Sequence, residues 1–327
     1  MSVADTPLYV IAFLFSLSLT IFFGRLIIPI LKSRAKQPIY TEGPGWHVSK
    51  SGTPTMGGLS FLIAITTTLL LCSLYKYIMR DTVSAISLII CVIYAVLNSA
   101  VGILDDATKL KRKENAGLTP KAKLFFQFIL SALFLFSRKV LLGETPTALL
   151  PFGLFDSPFM YYATLMIVLV GITNCANLTD GIDGLATSVA FGIGISLFYV
   201  SFGISDNLSF ISAALVGGTV SFLVFNINPA KVFMGDTGSL FLGSLIAAMT
   251  FEMSNPIISV ISSGVYVIEG VSVIMQVAYY KLTKKRLFKM APIHHHLEKC
   301  GWNENKICIV AILITLLLGG AVLLCVN

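Results

Sequence analysis

Charged residues are scarce in this 327-residue chain, and their scarcity excludes most soluble folds. Only 12% of the residues are Asp, Glu, Lys or Arg, whereas 56% are hydrophobic. Soluble globular chains carry about 25% charged residues, so this composition predicts a polytopic membrane protein. We expect residues 1–327 to form a single integral membrane domain with no separate soluble part.

The absence of several sequence motifs excludes further classes of function. The six cysteines have no paired spacing typical of a metal site, and no His-Glu-x-x-His sequence occurs, which argues against a zinc metalloprotease. No basic stretch is interleaved with aromatic residues, so we expect no nucleic-acid partner. The residues before the first apolar run lack basic side chains, and that run is too long for a signal peptide. We therefore expect it to be retained as a membrane span.

Long apolar runs are abundant. A membrane-spanning helix needs about 20 apolar residues. Ten candidate runs can be read, at 8–31, 56–75, 84–104, 121–137, 159–176, 184–202, 208–226, 238–254, 257–281 and 304–326. The predicted fold class is therefore all-α, a polytopic bundle of about ten transmembrane helices. The ninth run contains Gly264, Glu269 and Gly270, which predicts a break or a strong tilt within it.

The few basic residues are distributed asymmetrically. Of the 23 lysines and arginines, only four follow even-numbered runs, namely Lys76, Arg80, Arg138 and Lys139. Arg25 lies within the first run, and the others follow odd-numbered runs. Cytoplasmic loops carry the excess of lysine and arginine in membrane proteins. Both termini are therefore predicted to lie outside, and the basic loops in the cytoplasm.

Four short polar clusters interrupt the apolar pattern, each at the end of an apolar run. They lie at 105–106, 177–184, 235–238 and 294–296. Carboxylates and imidazoles are costly to place in or beside a bilayer, so they usually mark a functional site. Because the predicted topology brings all four clusters to the cytoplasmic face, we expect them to form one site.

The acidic clusters have spacings that favour function over a structural role. Asp105 and Asp106 end a predicted helix, where the helix dipole disfavours acids. Asn177, Asp180 and Asp183 recur every third residue, which would place them on about a third of one helix surface. A single helix cap needs one such residue rather than three.

The remaining clusters leave alternatives open. Asp236 either caps the following helix or offers an oxygen ligand to Mg²⁺, and Phe233 either stacks on a base or packs against the bundle. Lys50 with the nearby hydroxyl groups suits phosphate binding, although a loop-to-helix turn has the same composition. The three histidines at 294–296 cannot all face one ion, so phosphate binding or acid–base catalysis is favoured over zinc.

Five segments resemble, in this order, the phospho-N-acetylmuramoyl-pentapeptide transferase family of the polyprenyl-phosphate N-acetylhexosamine-1-phosphate transferase superfamily. They are Gly-Thr-Pro-Thr-Met-Gly-Gly at 52–58, Asp-Asp-Ala-Thr-Lys at 105–109, Asn-Leu-Thr-Asp-Gly-Ile-Asp-Gly at 177–184, Phe-Met-Gly-Asp-Thr-Gly-Ser at 233–239 and Pro-Ile-His-His-His-Leu-Glu at 292–298. The carboxylate motifs resemble the whole superfamily, and the triple histidine with its flanks resembles the muramoyl-pentapeptide branch.

The resemblance implies a Mg²⁺-dependent transferase of peptidoglycan synthesis. Its substrates would be UDP-N-acetylmuramoyl-pentapeptide and undecaprenyl phosphate, and its products lipid I and UMP, at the cytoplasmic face of a bacterial plasma membrane. The implied catalytic residues are Asp105, Asp106, Asp236, His294, His295 and His296, with Asp236 also the metal ligand. The implied substrate-binding residues are Lys50, Thr53, Thr55, Lys109, Lys121, Asn177, Asp180, Gly181, Asp183, Asn226, Phe233, Gly235 and Gln276. A homodimer within the bilayer is one expected assembly.

Two other functions remain open. A sister transferase would move N-acetylglucosamine 1-phosphate from UDP-N-acetylglucosamine to the same lipid. A proton-coupled secondary transporter would place its acids at mid-span and contain inverted repeats. In this chain only Glu269 among the acids discussed lies within a predicted span, which favours a transferase.

Overall fold

The computed structural model describes residues 6–35, 50, 52–112, 117–145, 157–202, 204–253 and 258–326. These residues form twelve α-helices, and no β-strand occurs among them. The helices are α1 (Thr6–Arg34), α2 (Leu59–Ile78), α3 (Thr82–Arg112), α4 (Pro120–Leu142), α5 (Pro158–Thr179), α6 (Leu185–Ser201), α7 (Asp206–Asn226), α8 (Gly235–Met249), α9 (Ile258–Ser262), α10 (Gly264–Thr283), α11 (Ile293–Glu298) and α12 (Glu304–Val326). The all-α prediction is confirmed.

Seven of the described helices are long and apolar enough to cross a membrane, namely α1, α2, α3, α4, α5, α7 and α12. Helix α6 is apolar but has 17 residues, and α8 has 15 before a short 3₁₀ turn, Thr250–Glu252. The break predicted in the ninth apolar run is confirmed, because α9 ends at Ser262 and α10 begins at Gly264. The chain is a multi-pass membrane protein.

Local sequence explains where the helices begin. Thr119 accepts a hydrogen bond from the backbone N–H of Ala122, and Pro120 occupies the first helical position of α4, where its missing N–H costs nothing. Ser205 caps α7 in the same way through the N–H of Leu208. These caps fix the start of two helices whose interiors are mostly apolar.

Helix α8 lies at the centre of the bundle and positions the candidate site. It packs against α3 and α5, while α7 packs between α1 and α6, and α12 covers α6. Every residue of α8 from Thr237 to Met249 is buried. Large apolar side chains such as Phe22 and Leu74 are exposed on the outside of the bundle, as expected for surfaces that face lipid.

Candidate active site

Three aspartates converge where α3 ends and α8 begins. Asp105 and Asp106 belong to α3, and Asp236 is the second residue of α8. The prediction that the two aspartates end their helix is wrong, because α3 continues to Arg112 and carries basic residues in its last turn. Each of the three offers an oxygen within 4.8 Å of the others. Asp105 and Asp106 are fully buried, whereas the side chain of Asp236 is 15% exposed. The predicted meeting of the 105–106 and 235–238 clusters is confirmed.

Asp106 anchors the first turn of α8. One of its carboxylate oxygens accepts the backbone N–H of Asp236 at 3.2 Å, and the other accepts the backbone N–H of Thr237 at 2.9 Å and its hydroxyl at 2.7 Å. The first N–H groups of a helix lack intrahelical partners and carry partial positive charge, so a carboxylate stabilises them. Asp106 therefore fixes the orientation of the residue that carries the third carboxylate.

Two lysines form ion pairs with the acids. Lys109 Nζ lies 2.7 Å from Asp105 Oδ2 and 3.3 Å from Asp236 Oδ2. Lys123 Nζ lies 3.0 Å from Asp105 Oδ1 and also contacts Asp236 Oδ2. Buried charges are tolerated when they are paired and hydrogen-bonded, which this arrangement provides. The result is a mixed-charge centre on α3, α4 and α8.

Lys123 was not predicted from the sequence, which singled out Lys121 instead. Lys121 is exposed on α4 and lies outside the acidic cluster, so its predicted substrate contact stays a prediction. The sequence pattern that could have identified Lys123 is the polar face of α4, whose residues Gln127, Ser131 and Arg138 are buried. One helical turn before Gln127 is position 123, not 121.

Asn177 connects the end of α5 to the same centre. Its side-chain amide donates to Asp236 Oδ1 at 3.1 Å and to Ser239 Oγ at 2.8 Å. Asp180 follows the last turn of α5. Its burial, and after that the carboxylates of Asp236 and Asp106, raise the pKa of Asp180 well above the usual value.

Helix α5 ends earlier than the three-residue spacing of its polar side chains predicted. The last helical residue is Thr179, and Gly184 adopts a φ of +78°, so Asp180 and Asp183 lie in a turn rather than on one helix face. The single-face prediction is wrong for this reason. Asp183 Oδ1 pairs with Lys50 at 2.7 Å, and Asp183 Oδ2 accepts the backbone N–H of Ala230 at 3.0 Å.

The side chains of Lys50 and Asn226 also form ion pairs or hydrogen bonds with other residues of the protein. Lys50 Nζ lies 2.7 Å from the Glu304 carboxylate at the start of α12, in addition to Asp183. Asn226 donates to the carbonyl of Val232 at 3.0 Å and accepts the hydroxyl of Thr187. These contacts organise the loops around the site, and substrate contacts by either residue stay predictions.

The segment before α2 lies against the segment before α8. Phe233 donates its backbone N–H to Pro54 at 2.8 Å and accepts that of Gly57 at 2.9 Å. Thr55 is buried against Gly235, and Thr53 is partly buried. The Phe233 ring is also only partly buried. The two predicted phosphate-binding segments are therefore neighbours.

The three histidines have different partners. His294 Nδ1 lies 3.1 Å from Glu269, and His295 Nδ1 lies 2.6 Å from Glu298. His296 Nδ1 accepts the backbone N–H of Lys289 at 3.2 Å. Among the described residues the group with metal-ligand proximity is the three aspartates, and no histidine belongs to it.

His294 joins the histidine segment to the turn after α5. Its ring lies against Gly181, where an added Cβ would be 2.3 Å from His294 Nε2. Gln276, predicted to bind substrate, accepts the backbone N–H groups of Leu287 and Phe288 at 3.1 and 2.9 Å. That contact holds the loop that leads to the histidines.

Comparisons with known proteins identify the family. Residues 85–254 match the family model described as glycosyl transferase family 4, and residues 50–62 match phospho-N-acetylmuramoyl-pentapeptide-transferase signature 1. The phospho-N-acetylmuramoyl-pentapeptide-transferase of Clostridium acetobutylicum is 41% identical over 311 residues, which cover 94% of each chain. Those of Carboxydothermus hydrogenoformans and Staphylococcus epidermidis are 39% and 40% identical, over 90% of this chain and 91% and 92% of theirs. The chain belongs to glycosyl transferase family 4, in its phospho-N-acetylmuramoyl-pentapeptide-transferase branch.

Proposed function

We propose that the chain transfers phospho-N-acetylmuramoyl-pentapeptide from its UDP-linked donor to undecaprenyl phosphate. The products are lipid I and UMP, and the reaction belongs to peptidoglycan synthesis. The observation that carries the proposal is the centre of three aspartates and two lysines at the ends of α3, α4 and α8. The names of the relatives and the matched signature support the choice of the muramoyl substrate over N-acetylglucosamine.

The charge pattern suits phosphoryl transfer. A phosphate oxygen of the lipid forms a bond to the phosphorus that carries the sugar, and the bond from that phosphorus to the UMP oxygen breaks. Catalysis of such a step depends mainly on positioning and on neutralising phosphate charge. Lys109 and Lys123 supply two positive charges, and Asp105, which contacts both, is placed to orient the lipid phosphate or accept its proton.

The carboxylate set also fits Mg²⁺. This ion prefers oxygen ligands and usually takes one or two protein carboxylates together with substrate phosphates. Asp236 is the proposed ligand, with Asp105 beside it, because Asp236 is the partly exposed carboxylate of the three, whereas Asp106 is buried with both oxygens bonded to the first turn of α8. When bound, Mg²⁺ would neutralise charge on the diphosphate.

Five of the other predicted residues are assigned to the UDP-sugar. Asn177, Asp180 and Gly181 border the acidic centre, and His294 lies against that turn. Phe233 precedes α8 and has a partly exposed ring, which suits stacking on uracil. Substrate binding would thus bring a soluble nucleotide and a membrane lipid to one interfacial site.

Ten membrane spans would place this site on the cytoplasmic face. The seven long helices would be joined by α6, α8 and the broken pair α9–α10, with both termini outside. The charge asymmetry of the loops supports this orientation. A homodimer in the bilayer remains part of the proposal.

Release of UMP tests the function directly. Purified protein would be given undecaprenyl phosphate with either UDP-N-acetylmuramoyl-pentapeptide or UDP-N-acetylglucosamine, with and without Mg²⁺. We expect Mg²⁺-dependent UMP release with the first donor only. Asp236→Asn should lower the rate by about 10²–10³, as expected on loss of one electrostatic group. Release from UDP-N-acetylglucosamine alone would point to the sister transferase, and normal turnover by the Asp236 variant would remove the metal assignment.

A further inference from the structure

Glu269 is a buried acid of α10 for which the proposed reaction has no use. Its side chain is 4% exposed. Oxygen Oε2 accepts the backbone N–H of His294 at 3.3 Å and lies 3.1 Å from Nδ1 of the same histidine. Because this oxygen acts as an acceptor toward the backbone, the short contact to Nδ1 requires a proton on Nδ1.

The second ring nitrogen of His294 is left without a partner. Residue His294 is fully buried, and its Nε2 has no hydrogen-bond partner among the described residues. The nitrogen faces the backbone of Gly181, next to Asp180 and one turn beyond the Asn177 that binds Asp236. Buried polar atoms are rarely left unpaired in folded proteins, and a ligand is one explanation for an exception. With Nδ1 protonated, Nε2 of the neutral ring is a hydrogen-bond acceptor.

Helix α10 is held firmly enough to fix this geometry. It packs on α5 at Gly270, where an added Cβ would lie 2.3 Å from Cys175 Sγ. Gln276 lies two turns beyond Glu269 on the same face and holds two backbone N–H groups of the loop before α11. Both ends of the stretch from Leu287 to His294 are therefore attached to one face of α10.

We propose that Glu269 is a positioning residue for His294. It holds the imidazole with Nδ1 protonated, so that the lone pair of Nε2 accepts a hydrogen bond from the UDP-sugar bound at the Gly181 turn. The proposal rests on the proposed function for the identity of that ligand. The partner of Nε2 is a donor group of the UDP-sugar rather than of the lipid phosphate, because the Gly181 turn lies beside Asn177 and Asp180.

Steady-state kinetics test the positioning role. Glu269→Leu should raise KM for UDP-N-acetylmuramoyl-pentapeptide by about 5- to 30-fold, as expected on loss of one hydrogen bond. KM for undecaprenyl phosphate should stay within about twofold, which general damage to the fold would not produce. Glu269→Gln should stay within about threefold of the wild type, because the amide oxygen still accepts from Nδ1–H. Ser272→Ala is the matched control, since it removes a buried hydroxyl one turn away, and should change neither KM.

A double variant separates action through His294 from an independent effect. If Glu269 acts through the imidazole, adding Glu269→Leu to His294→Asn should change KM for the UDP-sugar by less than about twofold. If the double variant instead raised KM by the product of the two single effects, the proposal would be overturned. An unchanged KM in the single Glu269→Leu variant would do the same.

Nitrogen NMR of the histidines gives a readout that does not depend on turnover. The chain has only four histidines, so ¹⁵N-histidine labelling of the full-length protein yields a small set of signals, and His294→Asn assigns one of them. We expect the Nδ1–H tautomer for His294 in the wild type and its loss in Glu269→Leu. An Nε2–H tautomer or a doubly protonated ring in the wild type would overturn the proposal even if Glu269→Leu did not fold. Failure of the wild type to release UMP would instead contradict the proposed function while leaving the tautomer result to decide the role of Glu269.

Discussion

Single side chains of the same chemical type carry out different tasks at the candidate site. Asp106 gives both carboxylate oxygens to the first turn of α8, whereas Asp105 contacts Lys109, Lys123 and the backbone N–H of Leu118. The sequence predicted both aspartates as functional because acids are unfavourable at a helix C-terminus. It did not separate their tasks, since adjacent residues differ by about 100° of rotation and only the packed structure fixes what each one faces.

Lys123 offers a sharp test of the site at the residue scale. Lys123→Ala removes a charge that contacts two of the three aspartates, so we expect kcat to fall by about 10²–10³. Lys121→Ala serves for comparison, because its exposed side chain lies outside the acidic centre, and we expect kcat within about threefold of wild type. UMP release measures both. A stronger effect from Lys121→Ala than from Lys123→Ala would contradict the described centre.

At the scale of helices, the contact between α3 and α8 determines where the third carboxylate lies. Gly102 on α3 meets the backbone of Asp236 so closely that an added Cβ would lie 2.2 Å from its carbonyl oxygen. The obstruction is backbone, which cannot move aside as a flexible side chain can. The close approach of these two helices is therefore a condition for the acidic cluster.

Gly102→Ala should consequently disturb both stability and activity. Overpacking of this kind costs about 1–3 kcal/mol, and displacement of α8 would separate Asp236 from the other two acids. Gly171→Ala is a matched control within α5, because nothing lies within 4 Å of its Cβ position. We expect that control to be neutral or more stable by up to about 1 kcal/mol. Thermal unfolding in detergent and UMP release measure the two effects, and equal behaviour of both variants would contradict the role of the close approach.

Elements defined by apolar composition could be predicted from the sequence, whereas elements defined by backbone torsions or by contacts distant in sequence could not. Apolar runs located the starts of the long helices to within a few residues, because each must bury or expose about 20 apolar side chains. The end of α3 was missed, because its last turns are polar and basic and lie beyond the apolar run. The end of α5 was misjudged because the change of direction at Asp180 and Gly184 depends on backbone torsions and on contacts with Lys50 and Ala230. Contacts between segments far apart in sequence, such as Glu269 with His294, could not be predicted because they produce no periodic pattern in the sequence.

On the scale of the whole molecule, a second buried ion network lies at the other end of α4 from Lys123. Arg138 pairs with Glu252 at 3.0 Å and with Glu144 at 2.5 Å. With a rise of 1.5 Å per residue, about 22 Å of helix separates this network from the acidic centre. It links α4 to the segment after α8 and is remote from the proposed chemistry.

Arg138→Met should therefore affect stability without affecting the reaction. Removing one partner of a buried ion pair leaves Glu252 uncompensated, at a cost of about 3–5 kcal/mol. We expect a clearly lower midpoint of thermal unfolding and, in the fraction that remains folded, kcat within about twofold of wild type. Lys139→Met, at the exposed neighbouring position, should change neither quantity. A large loss of kcat at unchanged stability would connect this network to catalysis.

The orientation of the molecule in the membrane can be tested at residues near the two ends of the bundle. If ten segments cross the membrane, Cys300, exposed between α11 and α12, lies in the cytoplasm with the acidic centre, and Thr145, exposed after α4, lies outside. An impermeant maleimide should therefore label Thr145→Cys in intact spheroplasts when Cys175, Cys300 and Cys325 are replaced by serine. When only Cys175 and Cys325 are replaced, Cys300 should react only after the membrane is opened. The buried Cys72, Cys91 and Cys308 are shielded in either case. Labelling of Cys300 from outside would reverse the orientation and would remove the acidic centre from the compartment that contains UDP-sugars.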